Sequence, residues 1–217
     1  MQDIYIGDEG KGFPLVLVHG FLGSSTMWKP QIDFFKDYFR VITPDLPGFG
    51  KSKNAKPQNS IQSMSNLILD CLEEKKVSKF HLLGHSMGGM IVQEMAIKKG
   101  DKISKLICYS TGPIGEMPGR FETVDESREN LKKNGLKTMA RSVTKTWFVK
   151  GEDAKYFDFC FEAGTQTSIE AADNSLAALK KWNGVDKLKN IKNETLIIWG
   201  NKDKSYNLSQ VKILEKN

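Results

Sequence analysis

The sequence predicts an α/β fold: a mostly parallel sheet flanked by helices, with a helical segment inserted before the last strand. Three observations carry this. Short continuous apolar runs recur and stop at a glycine or proline, as strands buried on both faces do. Between them the apolar spacing switches to that of helices, the alternation that builds a parallel sheet covered on both sides. From residue 113 to residue 190 the strand signal disappears, and it returns only at residue 195.

The elements follow in order. Ile4-Tyr5-Ile6 marks a short first strand, and Leu15-Val16-Leu17-Val18 a second that ends at His19-Gly20. Residues 28–38 carry aromatic and apolar side chains at helical intervals. Arg40-Val41-Ile42-Thr43 is a strand stopped by Asp45-Leu46-Pro47-Gly48. Ile61, Met64, Ile68, Cys71 and Leu72 trace one helix face, and Ser60 is placed to cap it. Phe80-His81-Leu82-Leu83 is a strand ended by Gly84; residues 90–99 form a helix with Gly100 in the stop position. Leu106-Ile107-Cys108-Tyr109 is the next strand. Helices are predicted over residues 130–150, 153–164 and 168–182, then a strand over 195–199 and a helix start over 208–215. The organisation is therefore a core of residues 1–112 and 191–217 with a helical cap, 113–190, inserted over the sheet edge where open α/β sheets bind ligands.

Length and composition narrow the function. One domain of 217 residues buries a core large enough to need no disulfide or metal. The net charge is +6, but only four of the 32 basic residues are Arg. The lysines are spread in pairs along the chain, a solvated basic surface and not the clustered Arg-rich footprint of a nucleic-acid site. The three cysteines, Cys71, Cys108 and Cys160, have neither metal-ligand nor redox spacing. No signal peptide or membrane span is visible, and free thiols suit a reducing compartment, so the expected location is cytoplasmic. No nucleic-acid or membrane partner is expected.

The chemistry lies in Gly84-His85-Ser86-Met87-Gly88, a Gly-x-Ser-x-Gly pattern between a strand and a helix. That setting makes a nucleophile elbow: a strained turn lifts the serine hydroxyl to the head of a helix. Gly84 and Gly88 let neighbouring backbone approach where a Cβ would clash. The helix start offers free N–H groups to a developing oxyanion. After the second strand, His19-Gly20-Phe21-Leu22-Gly23 makes a turn, with Gly20 at its bend, that can aim an amide back at Ser86. The oxyanion hole would be the Phe21 and Met87 amides. Gly50-Lys51-Ser52 imitates the tail of a phosphate-binding loop, but Asp45 stands where that motif needs a glycine.

These motifs, with the Asp45 turn and Trp199-Gly200-Asn201-Lys202-Asp203, resemble the α/β-hydrolase family from about residue 4 to the end. The resemblance implies an α/β-hydrolase fold in which Ser86 is the nucleophile and Asp203 the acid that orients a histidine. Asp45 would shape its turn. Ser at position 86 argues against members that use an aspartate there.

The base is the missing part. The three histidines, His19, His81 and His85, all precede Asp203, whereas the family places its base after the acid. His19 is expected to brace the oxyanion loop, His81 to sit in a strand, and His85 to turn its ring away from Ser86. A C-terminal truncation is therefore expected, with the last strand and helix missing, activity almost lost, and the strand at 195–199 left with an apolar edge.

Aromatic residues of the cap (Phe121, Trp147, Phe148, Tyr156, Phe157, Phe159, Phe161 and Trp182) imply an apolar pocket roof. The expected substrate is a small apolar carboxylic ester or lactone, attacked by Ser86 to give an acyl-enzyme, without metal or organic cofactor. Trp147-Phe148 is similar to a pair in enol-lactonase-like members. Carbon–carbon bond hydrolysis, cofactor-free perhydrolysis and non-catalytic ligand binding on the same fold are the alternatives.

Overall fold

A computed structural model describes residues 4–116 and 119–216. Its six strands are β1 (Ile6–Glu9), β2 (Pro14–Val18), β3 (Arg40–Pro44), β4 (Phe80–His85), β5 (Ile103–Tyr109) and β6 (Thr195–Ile198). They lie side by side in the order β1-β3-β2-β4-β5-β6. All neighbours are parallel except β1, which runs antiparallel to β3. The predicted mostly parallel sheet is therefore present, and β4, which leads to Ser86, lies at its centre. The first strand starts two residues later than predicted.

Seven α-helices accompany the strands: α1 (Lys29–Phe35), α2 (Ile61–Glu74), α3 (Met87–Lys99), α4 (Val124–Thr146), α5 (Phe157–Thr165), α6 (Ile169–Lys181) and α7 (Leu208–Lys216). Ser60 caps α2 as expected, its hydroxyl accepting the Ser63 N–H at 3.1 Å. Helix α3 ends at Lys99 with Gly100 in the stop position, as expected. The glycine's φ is −56°, and the chain continues into one 3-10 turn, Gly100–Lys102. Helix α4 begins six residues before the expected start, because Thr123 and Glu126 form a reciprocal capping box.

The main core lies between the sheet and α2, α3 and the inserted helices, with Val16, Ile42, Phe80, Leu82, Met90 and Ile91 fully buried. Helix α3 is buried nearly all round, which is why it lacks a polar face. The two chain segments that lead into and out of the helical insertion pair with each other. Gly115 N–H donates to Trp182 O, and Gly184 N–H donates to Pro113 O. The Glu94 carboxylate on α3 pins the outgoing segment by accepting from Trp182 Nε1 at 2.8 Å and Lys187 Nζ at 3.2 Å. Strand β6 is an edge, and Leu196 and Ile198 are 55% and 42% exposed there. No described helix is long and apolar enough to cross a membrane.

Candidate active site

Ser86 caps the start of α3 with φ 55° and ψ −118°. A residue with a Cβ rarely adopts positive φ, and such strain costs about 1–3 kcal/mol. The neighbourhood enforces it. A Cβ on Gly84 would lie 2.3 Å from Gly88 O, and one on Gly88 would lie 2.3 Å from Val18 O. Strand β2, β4 and the head of α3 thus touch through bare backbone. Ser86 N–H is held by Tyr109 O at 3.0 Å, and Ser86 O accepts from the Thr111 hydroxyl at 2.7 Å.

The turn after β2 reaches the same point. A Cβ on Gly20 would lie 2.8 Å from His85 O and 3.0 Å from Ser86 Cβ. Phe21 follows it, buried, and Leu22 takes φ 55°. Met87 is the first residue of α3, so its N–H has no partner within the helix. Of the predicted oxyanion pair, Met87 directly follows Ser86 and Phe21 directly follows the glycine that crowds it.

His19 braces this loop, as expected. Its Nδ1 donates to Gly20 O at 2.9 Å, and its Nε2 accepts the Leu46 N–H at 3.0 Å. Both nitrogens are thus committed, and burial lowers its pKa. Asp45 is buried inside the adjoining turn, where it accepts the N–H groups of Ser25 and Lys51. The Gly50-Lys51-Ser52 stretch is folded around that carboxylate. His85 packs its ring against Trp28, Tyr109 and Trp147, and burial pushes its pKa down to about 4. Its Nδ1 is buried without a partner. His81 sits at the opposite end of β4 beside Phe13 and Phe39. No hydrogen bond joins a histidine to Ser86 among the described residues.

Ser86 opens into a cleft of about 720 Å³. Trp28 and Met27 form one wall, the Trp199–Tyr206 loop the other, and Trp147, Phe148, Tyr156 and Phe159 the roof. Four of the eight predicted cap aromatics thus line the cleft. Phe157 and Trp182 are instead buried in packing, Phe161 stacks on Phe157, and Phe121 lies beneath the Arg120 guanidinium.

Asp203 lies in the wall of this cleft. Its Oδ1 accepts the N–H groups of Ser205 and Tyr206, at 2.8 and 2.9 Å. The turn so formed delivers a residue the sequence reasoning missed. Tyr206 is buried, and its Oη lies 3.1 Å from Ser86 Oγ. Its only signal in the sequence is its place three residues after Asp203. The cysteines are free and buried, with Cys160 in the roof. No cluster of metal-ligating side chains occurs among the described residues.

Comparison with known proteins agrees with this geometry. Residues 14–216 match the family model described as alpha/beta hydrolase fold. A pimeloyl-[acyl-carrier protein] methyl ester esterase from Legionella pneumophila (strain Corby) is 30% identical over 221 residues, covering 100% of this chain and 86% of the relative. The structure superposes on an esterase from Exiguobacterium antarcticum with a TM-score of 0.89, at 24% identity, covering 100% of this chain and 84% of the other. It superposes on the enol-lactonase from Burkholderia xenovorans LB400 with a TM-score of 0.87, at 19% identity, covering 99% and 84%. The elbow, the loop beside it and the extent of these matches identify the chain as a member of the α/β-hydrolase fold family.

Proposed function

We propose that this protein hydrolyses a carboxylic ester or lactone through an acyl-enzyme on Ser86. The observation that carries this reading is the strained Ser86 at the head of α3, opening into the 720 Å³ cleft. Ser86 Oγ attacks the carbonyl. The Phe21 and Met87 amides hold the oxyanion, where two such donors are worth several orders of magnitude in rate. Asp203 is the acid partner of the proton-accepting base, and water releases the acyl group. The helices between β5 and β6 act as the cap.

The aromatic roof favours a mainly apolar acyl group, and Lys202 and Lys204 stand at the rim of the same cleft. An ester whose far end is anionic would suit both, in keeping with the acyl-carrier methyl ester named for the Legionella relative. Both ring nitrogens of His19 are committed to bracing the loop, and no histidine hydrogen-bonds Ser86 among the described residues.

Rapid mixing with p-nitrophenyl butyrate tests the reading. A burst of p-nitrophenol stoichiometric with protein, absent in Ser86→Ala, is the expected result. Release without a burst that persists in Ser86→Ala would overturn it.

A further inference from the structure

Tyr206 is the hydrogen-bond partner of Ser86 Oγ, and no other bond to that oxygen occurs among the described residues. Its position is built, not incidental. Asp203 Oδ1 holds the Tyr206 N–H, Trp199 Nε1 donates to the Tyr206 carbonyl at 2.8 Å, and the ring packs beside Gly112. Thr111 donates to Ser86 O on the same turn, which fixes the serine's backbone beside the phenol. The loop that carries the candidate acid therefore also seats a hydroxyl on the nucleophile.

Burial pushes the Tyr206 phenol up to about 12, so it stays neutral at working pH and is no base. The bond opposes attack where the serine is the donor. A proton donated by the serine is committed to a neutral oxygen that cannot keep it, and must be withdrawn before a base takes it.

We propose that Tyr206 restrains Ser86, holding the nucleophile's oxygen in the resting protein and releasing it when a substrate enters the cleft. This rests on Ser86 being the nucleophile. Loss of one neutral hydrogen bond corresponds to about a 2-fold to 10-fold change in rate.

The test is the rate of inactivation by a fluorophosphonate, resolved into kinact and KI, for the 217-residue chain and its variants. Tyr206→Phe should raise kinact about 2-fold to 10-fold with KI unchanged. Trp199→Phe, which loosens the anchor but keeps the phenol, should raise it less, and it keeps the test alive should Tyr206→Phe not fold. Melting curves establish that each variant is folded. Equal or slower kinact in folded variants overturns the restraint and leaves the nucleophile intact. A gain confined to KI also overturns it, since that reports only space made in the cleft. No inactivation of any variant overturns the nucleophile reading and the restraint with it.

Discussion

The turn after β4 and the helical segment between β5 and β6 face each other across one cleft, yet they are held in opposite ways. The turn has no spare space. Added Cβ atoms at Gly84, Gly88 and Gly89 would all fall within 2.4 Å of a neighbour. The segment is held by side chains. Gly135 breaks α4 at φ 76° with nothing within 4 Å of an added Cβ. Trp147 and Phe148 are only half-buried. Backbone crowding fixes where the serine stands, whereas exchangeable side chains shape what lies above it. Changes in the turn should therefore abolish chemistry, and changes in the roof should redirect it.

The largest effect expected is from Gly88→Ala. The new methyl would meet Val18 O and His19 O, so β2 and α3 must separate. A loss of about 3 kcal/mol or more is predicted in chemical denaturation, together with loss of Ser86 labelling. Gly135→Ala is the matched control in the helical segment. It should cost only about 1 kcal/mol, from the positive φ, and keep labelling. Equal losses would erase the contrast.

Acid should act mainly on the turn side. His19 and His85 are both held below the ordinary histidine value by burial, His85 at about 4. Both are neutral when folded and bind a proton more readily when unfolded. The unfolded chain therefore gains protons first as pH falls below about 6.5, and stability drops by about 1.4 kcal/mol per pH unit for each ring. The loss continues until the folded values are reached. His85→Phe should flatten the stability curve between pH 6.5 and about 4; an unchanged slope would show that this ring is not buried neutral.

Ser86→Gly relieves the positive φ and should raise stability by about 1 kcal/mol while removing labelling. A destabilised variant would mean that the turn is not strained at this position. Trp147→Ala removes a half-buried roof side chain. It should cost less than about 1.5 kcal/mol while raising KM for apolar esters several-fold with kcat little changed.

The same contrast governs what was legible in the sequence. The elbow was readable because backbone contact leaves glycine as the one residue type that fits, at fixed spacing between a strand and a helix. Asp203 was readable as the carboxylate just past an apolar strand run, although that strand, β6, lies exposed at the sheet edge. Tyr206 was not, because its approach to Ser86 depends on a turn that the Asp203 side chain folds in three dimensions. The early start of α4 was marked by Thr123 and Glu126, a capping pair passed over because the apolar periodicity begins later. Gly100 was legible as the end of α3, although its backbone there is right-handed. Which of the cap aromatics roof the cleft was not legible, since helical spacing does not tell a roof residue from one buried in packing.

Peptide mapping by mass spectrometry after fluorophosphonate treatment tests the placement of the nucleophile most directly. The prediction is a single adduct on the peptide carrying Ser86, lost in Ser86→Ala and kept in a variant of the exposed Ser209. An unlabelled chain, or an adduct that survives Ser86→Ala, would contradict it.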